Sequence, residues 1–221
     1  MKPRQTNSDS TADIVRTDPS NPDAAVIRKA VDILRHDGVL VFPTSGLYGL
    51  GVDAFNPAAV SRVFAIKQRP SDNPVLVLLS DMHDMHKLVR TIPAYALPLL
   101  RLWPGGVTFI FEAGDPVPVA LTGGTGKIGV RMPLHPVARA LTVRFGGPIT
   151  ATSANHSGRP APASAAALDP AMVSQTDMVL DAGALAGGIG STIVDVTRWP
   201  IEVLREGAVS RRIIDDVLRR G

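Results

Sequence analysis

The chain has 221 residues, 45% hydrophobic and 19% charged, the balance of an ordinary globular protein with a sizeable core. It has no cysteine, which excludes disulfides, thiolate metal sites and cysteine nucleophiles and fits a reducing compartment such as the cytoplasm. A formal charge of +3 with a pI of about 9.6 permits an anionic ligand or a nucleic acid without requiring either, and no apolar run reaches the roughly 18 residues of a membrane span.

Residues 1–20, MKPRQTNSDSTADIVRTDPS, are polar and lack the apolar stretch of a secretory signal, so a flexible tail is expected before one domain over 21–221. Asn21-Pro22-Asp23 reads as a helix start: a capping amide, proline at the first helical position and an acid at the positive end. Ile27, Ala30, Val31 and Leu34 then recur at helical spacing, and Gly38 reads as the C-cap. VLVF (39–42) is a short apolar run, hence a buried strand, and Asn56-Pro57 opens a second helix with Val60, Val63 and Phe64 inward. VLVLL (75–79) is another buried strand, and 82–102 is helical with interruptions at Pro93 and Pro98. Strands follow at 107–111 and 127–132, a helix at 136–145 and a strand end at 148–153. Three further strands are expected at 178–183, 192–196 and 201–207, and a basic amphipathic helix at 210–220. Interleaved strands and helices of this kind predict an α/β class: a single-domain, twisted, mixed β-sheet flanked by helices.

Several motifs fail on inspection. GGTGKIG (123–129) lacks the P-loop glycine, because Leu121 stands there, and Ile128 follows the lysine where Ser or Thr is needed. GLYGLG (46–51) is not a dinucleotide fingerprint, and His83 with His86 has no third metal ligand nearby. There is no G-x-S-x-G elbow.

Polar residues instead cluster just past the apolar strands, where open α/β sheets bind ligands. VLVF runs into Pro43-Thr44-Ser45-Gly46, and the second helix runs into Lys67-Gln68-Arg69-Pro70. A lysine and an arginine two apart can serve phosphate oxygens as point charge and planar fork, or can simply be a solvated helix end. Arg131 interrupts the apolar run IGVRM, where an unpaired charge is costly, so it needs an anionic partner from the protein or from a ligand. PIT runs into ATSANHSGRPAP (151–162), a stretch of small residues, hydroxyls and one amide.

Seven segments, in order, resemble the YrdC-like threonylcarbamoyl-AMP synthase family. They are GVLVFPTSGLYGLGVDAFN, IKQRPSDNPVLVLL, LWPGGVTFIF, KIGVRMPLHPVARAL, ITATSANHSGRPAP, STIVDV and VLREGAV. Together they cover about residues 24 to 209 and include the family's K-x-R and S-x-N signature, here Lys67-x-Arg69 and Ser153-x-Asn155. The resemblance implies a mixed sheet around a basic concave cavity. It also implies condensation of L-threonine, bicarbonate and ATP into threonylcarbamoyl-AMP and pyrophosphate, with Mg²⁺ on the triphosphate. Mg²⁺ would have no fixed side-chain ligands. A separate complex would pass the threonylcarbamoyl group to tRNA, and tRNA or double-stranded RNA is a further implied partner; no membrane is. By the same resemblance Lys67, Arg69, Ser153 and Asn155 carry the chemistry at the phosphates. Thr44, Arg131, Ala151 and Ser191 take threonine, with Arg131 on its carboxylate. Lys127, through its backbone, and Arg205 join Lys67, Arg69, Ser153 and Asn155 on the nucleotide. Ala151 and Ala154 would leave room for ligand, with His156 and Arg159 as flanking surface.

Two departures stand out. Where the family usually reads P-T-E-T, this chain reads Pro43-Thr44-Ser45-Gly46, without the acid and the second threonine. The chain also stops soon after the shared region, as expected of a short form without the additional C-terminal domain. YciO-type relatives vary at the first position too but lack K-x-R and S-x-N, which this chain keeps. Two other readings start from the same residues: a non-catalytic RNA-binding module using RRIIDDVLRRG, and an ATP-dependent carbamoyl transfer that does not use threonine. Few aromatics and the acids Asp215 and Asp216 in that last helix weigh against the first.

Overall fold

A computed structural model describes residues 12–220. Five strands form one sheet in the order β1 (Asp13–Arg16), β9 (Met178–Asp181), β2 (Leu40–Pro43), β3 (Tyr48–Gly51) and β8 (Thr152–Ser153). Six form the other, in the order β11 (Glu202–Arg205), β10 (Thr192–Asp195), β5 (Val107–Glu112), β6 (Lys127–Arg131), β4 (Val77–Leu78) and β7 (Ile149–Thr150). Both are mixed: β1, β9 and β2 run parallel, as do β10 with β5 and β6 with β4, and the remaining pairs are antiparallel. The helices are α1 (Ala24–Arg35), α2 (Pro57–Lys67), α3 (Val119–Thr122), α4 (Pro136–Phe145), α5 (Pro170–Val173) and α6 (Arg211–Arg220). The α/β class with mixed strands and flanking helices is as expected, but the strands divide between two sheets rather than one. Among the described residues no helix is long and apolar enough to cross a membrane.

Local chemistry explains most boundaries. α1 starts two residues later than its sequence suggests, because Asp23, not Asn21, accepts the free N–H groups of Ala25 and Val26. Its apolar stripe Ile27, Ala30, Val31 and Leu34 is buried as expected. The left-handed residue after α1 is Asp37 (φ 64°), whereas Gly38 is there for space: a Cβ would lie 2.2 Å from Ile33 Cγ2. Asn56 caps α2, with Pro57 at the first helical position. Residues 82–102 form two 3₁₀ helices, Met82–Lys87 and Ala94–Leu102, the second holding Pro98 inside it. VLVLL narrows to the two-residue β4.

The flexible tail expected over 1–20 does not extend to Asp13–Arg16, which pair in parallel with β9. Residues 1–11 lie outside the described residues. β1 needs little apolar content because an edge strand is held by its backbone ladder, and Ile14 stays 57% exposed.

Only Ala151 separates β7, paired with β4, from β8, paired with β3. The chain therefore crosses between sheets at one residue. Reciprocal bonds brace the crossing: Thr150 N–H donates to Val52 O at 2.9 Å and Val52 N–H to Thr150 Oγ1 at 3.0 Å. Alternation along the larger sheet buries Val107, Phe109, Phe111, Ile128, Val130 and Val194 in the main core. The register puts Thr108, Ile110, Gly129, Arg131, Ile193 and Asp195 on the opposite face, where Ile110, Gly129 and Ile193 are only half buried.

Candidate functional site

The K-x-R pair is set by the end of α2. Gln68 is left-handed (φ 50°), and Arg69 N–H donates to Phe64 O at 3.0 Å, a helix-terminating arrangement. The helix thus stops at Gln68. Lys67 is 2% exposed and its Nζ donates to Ser153 O, to Asn155 O at 2.7 Å and to Asn155 Oδ1 at 3.5 Å. In return Ser157 N–H donates to Lys67 O at 3.0 Å. The K-x-R and S-x-N motifs, 86 residues apart between Lys67 and Ser153, are thereby one unit. Burial, reinforced by Arg69, pushes the Lys67 amine down to about 8. Arg69 reaches the other way, donating to Pro74 O at 2.8 Å, and burial lowers it too. Asn155 Nδ2 donates to His156 O at 3.0 Å and also to Arg159 O. His156, expected as surface, is half buried with Nε2 3.4 Å from Asp169.

Arg131 is 7% exposed at the end of β6. Its Nε donates to Gly105 O at 2.8 Å and its Nη2 to Ser45 Oγ. No carboxylate among the described residues forms an ion pair with it. Burial, reinforced by Arg205, pushes it down to about 10, still cationic at neutral pH. A buried guanidinium beside a second cation, with only neutral acceptors among the described residues, lacks the counter-charge that an anion would supply.

The other sequence candidates distribute around these two centres. Thr44 Oγ1 donates to Leu47 O at 2.7 Å and shapes the turn that carries Ser45. That turn adjoins the S-x-N strand, since Gly49 pairs with Ser153 and a Cβ on Gly49 would lie 2.9 Å from Thr44 Cγ2. Ser191 Oγ is 2.8 Å from Thr108 Oγ1, and Arg205 Nη2 donates to Ser191 O at 2.8 Å. Ala151 and Ala154 are buried, one in each of the two apolar clusters. Lys127 stands four residues from Arg131 on β6, about 13 Å away at roughly 3.3 Å per residue. Its ammonium meets Asp195 at 2.7 Å. Burial raises the Asp195 carboxyl, but hydrogen bonds from Lys127 and Thr197 more than offset this and hold it low.

The sequence reading missed Thr108 and the Gly105 carbonyl, and it noticed Ser45 only as a departure. Thr108 carried a signal, a lone hydroxyl within VTFIF; Gly105 O carried none, because any residue has a carbonyl. Two surface grooves run beside α1, one lined by Arg28, Lys29, Asp32, His36 and Asp177, the other by Arg16, Asp18 and Asn21, and share no residue with this site.

Fold and site together define a two-sheet α/β domain that gathers buried cations where its chain crosses between sheets. The chain belongs to the Sua5, YciO and YrdC family, whose model, described as "Telomere recombination", matches residues 32–207. It is 36% identical to the threonylcarbamoyl-AMP synthase of Pyrococcus abyssi over 87% of this chain and 57% of that protein. It is 38% identical to the threonylcarbamoyl-AMP synthase of Xanthomonas axonopodis pv. citri over 74% of this chain and 90% of that one. The structure of P. abyssi Sua5 complexed with L-threonine superposes with a TM-score of 0.86 at 34% identity, over 92% of this chain and 60% of that one. The chain thus spans about three-fifths of the Pyrococcus relatives' length.

Proposed function

We propose that this protein is an L-threonylcarbamoyladenylate synthase, a nucleotidyltransferase supplying tRNA modification. The observation that carries the reading is Arg131: buried, cationic, aimed past Ser45 and without a carboxylate among the described residues. An amino-acid carboxylate completes it. A relative named threonylcarbamoyl-AMP synthase and a solved Sua5 complexed with L-threonine support that choice of anion.

The threonine amine and bicarbonate combine, with loss of water, into an N-carboxylate. A carboxylate oxygen attacks the α-phosphorus of ATP, and pyrophosphate leaves. Arg131, beside the Thr44 turn, orients the amino acid, with Ser191 nearby. Arg69 turns from the Pro74 carbonyl to the phosphates, which the Ser153–Asn155 segment flanks, and Lys67 adds its charge while fixing that segment's backbone. Arg205 completes the positive surround on the nucleotide side. Such a site accelerates by positioning and charge stabilisation rather than by proton transfer. The donors here are cationic or neutral, and among the described residues no group of three His, Cys, Asp or Glu could hold a metal. Mg²⁺ would enter on the triphosphate, where it would neutralise charge, held by substrate oxygens. Handover to a transfer complex, direct contact with tRNA and a cytoplasmic location complete the proposal.

The test is pyrophosphate release from purified protein with ATP, Mg²⁺, bicarbonate and L-threonine. Release should require both threonine and bicarbonate and yield threonylcarbamoyl-AMP. Folded protein that releases none, or releases it equally without threonine, refutes the reading.

A further inference from the structure

The departure Ser45-Gly46 closes a ring around Arg131. Arg131 Nη2 donates to Ser45 Oγ. The next residue, Gly46, accepts from Gly187 N–H at 3.0 Å. Residues 182–191 form a strap from β9 in one sheet to β10 in the other. At its far end Ser191 O accepts from Arg205 Nη2 at 2.8 Å, and Arg205 lies near enough to disfavour charge on Arg131. The circuit therefore returns to its start.

Both ends of the strap are fastened. Tyr48 Oη donates to Gly183 O at 2.8 Å, and Ala208 N–H donates to Gly190 O at 3.0 Å. Its middle is seated on Gly46, where a Cβ would lie 2.3 Å from Gly187 O. That contact is backbone on both sides, so it cannot be relieved by a rotamer; the strap itself would have to withdraw by about 1 Å to reach ordinary contact distance. Gly187 (φ 71°) and Gly188 (φ 95°) give the strap the left-handed bends that bring it down.

We propose that the rim formed by Ser45–Gly46 and Gly187–Ser191 selects the side chain of the amino acid held at Arg131, with Gly46 as its positioning residue. This rests on the reading of Arg131 as a carboxylate receptor. A rim seated at backbone contact fixes an aperture, and pockets reject one extra methylene by a limited but measurable factor. Gly46 is not left-handed, so alanine there meets no backbone strain and tests the contact alone.

The experiment compares wild type, Gly46→Ala and Ser45→Ala with L-threonine and with L-3-hydroxynorvaline, one methylene longer. Kinetics are followed by pyrophosphate release and binding by calorimetry. Gly46→Ala should raise KM for L-threonine about tenfold and reduce the preference over the longer amino acid about tenfold, the scale of one methylene. KM for ATP should stay within about twofold, which a general loss of structure would not allow. Ser45→Ala should weaken both amino acids equally, because it frees Arg131 without moving the strap. An unchanged preference in Gly46→Ala, or a parallel rise in KM for ATP, overturns the proposal. If wild type shows no turnover, the synthase reading falls, while calorimetry still measures the preference. Binding of neither amino acid to wild type overturns the rim proposal as well.

Discussion

Two buried cations stand close to the same crossing and are used in opposite ways. Lys67 spends its donors inside the protein, on Ser153 O, Asn155 O and Asn155 Oδ1. Arg131 has a backbone carbonyl on one side and a serine hydroxyl on the other, with no carboxylate paired to it among the described residues. A satisfied buried charge stiffens what it touches, whereas a charge left without a counter-charge waits for a ligand. On the proposed function, the nucleotide side would be prebuilt by Lys67 and the amino-acid side completed by what binds.

The largest effect should separate these roles. Arg131→Met should lower kcat/KM for L-threonine by about 10²-fold or more, mostly through KM for the amino acid, with the fold intact. Replacing a buried uncompensated charge by an apolar chain of similar length should not lower Tm. Lys67→Met should cost about 10-fold to 10²-fold, and the rise should fall on KM for ATP, because the Ser153–Asn155 segment loses its anchor. Steady-state kinetics in both substrates decide it. If both variants raise the same KM, the division of labour between the two cations is wrong.

Much of this site can be read from the chain before folding. K-x-R and S-x-N are short patterns, and Arg131 betrays itself by interrupting an apolar strand. The long-range partners cannot be read that way. Lys67 binds mainly backbone carbonyls, which carry no residue-specific signal, and Ser45 meets Arg131 across 86 residues of chain. The second sheet was hidden for a similar reason: PITATS reads as one strand, yet Ala151 divides it between two sheets. β1 was hidden because parallel pairing at an edge is a backbone property.

The next effect sharpens the comparison through pH. With its folded value near 8 against an ordinary 10.5, Lys67 sheds its proton in the folded state before it does so in the unfolded one. Between those two values the unfolded chain binds more protons, so stability should rise with pH, by up to about 3 kcal/mol if the whole shift is expressed. Activity should move the opposite way, falling several-fold above about pH 8 as the phosphate side loses a charge. Denaturant titrations and kcat/KM for ATP at pH 7 to 10, in wild type and Lys67→Met, isolate this residue. Parallel profiles in the two proteins would remove Lys67 as the titrating group.

The smallest activity effect belongs to Lys127, which the family resemblance gives to the nucleotide only through its backbone and which the fold puts at the far end of β6 from Arg131. Its ammonium is taken by Asp195, which is itself buried and held ionised. Lys127→Gln should therefore change kcat/KM for either substrate less than about threefold, leaving any nucleotide contact to the backbone. It should nonetheless lower stability by about 1–3 kcal/mol, because the Asp195 carboxylate keeps only its Thr197 donors. Thermal unfolding beside kinetics reads both. A tenfold loss of activity at unchanged stability would move the Lys127 ammonium off Asp195 and onto the substrate during turnover.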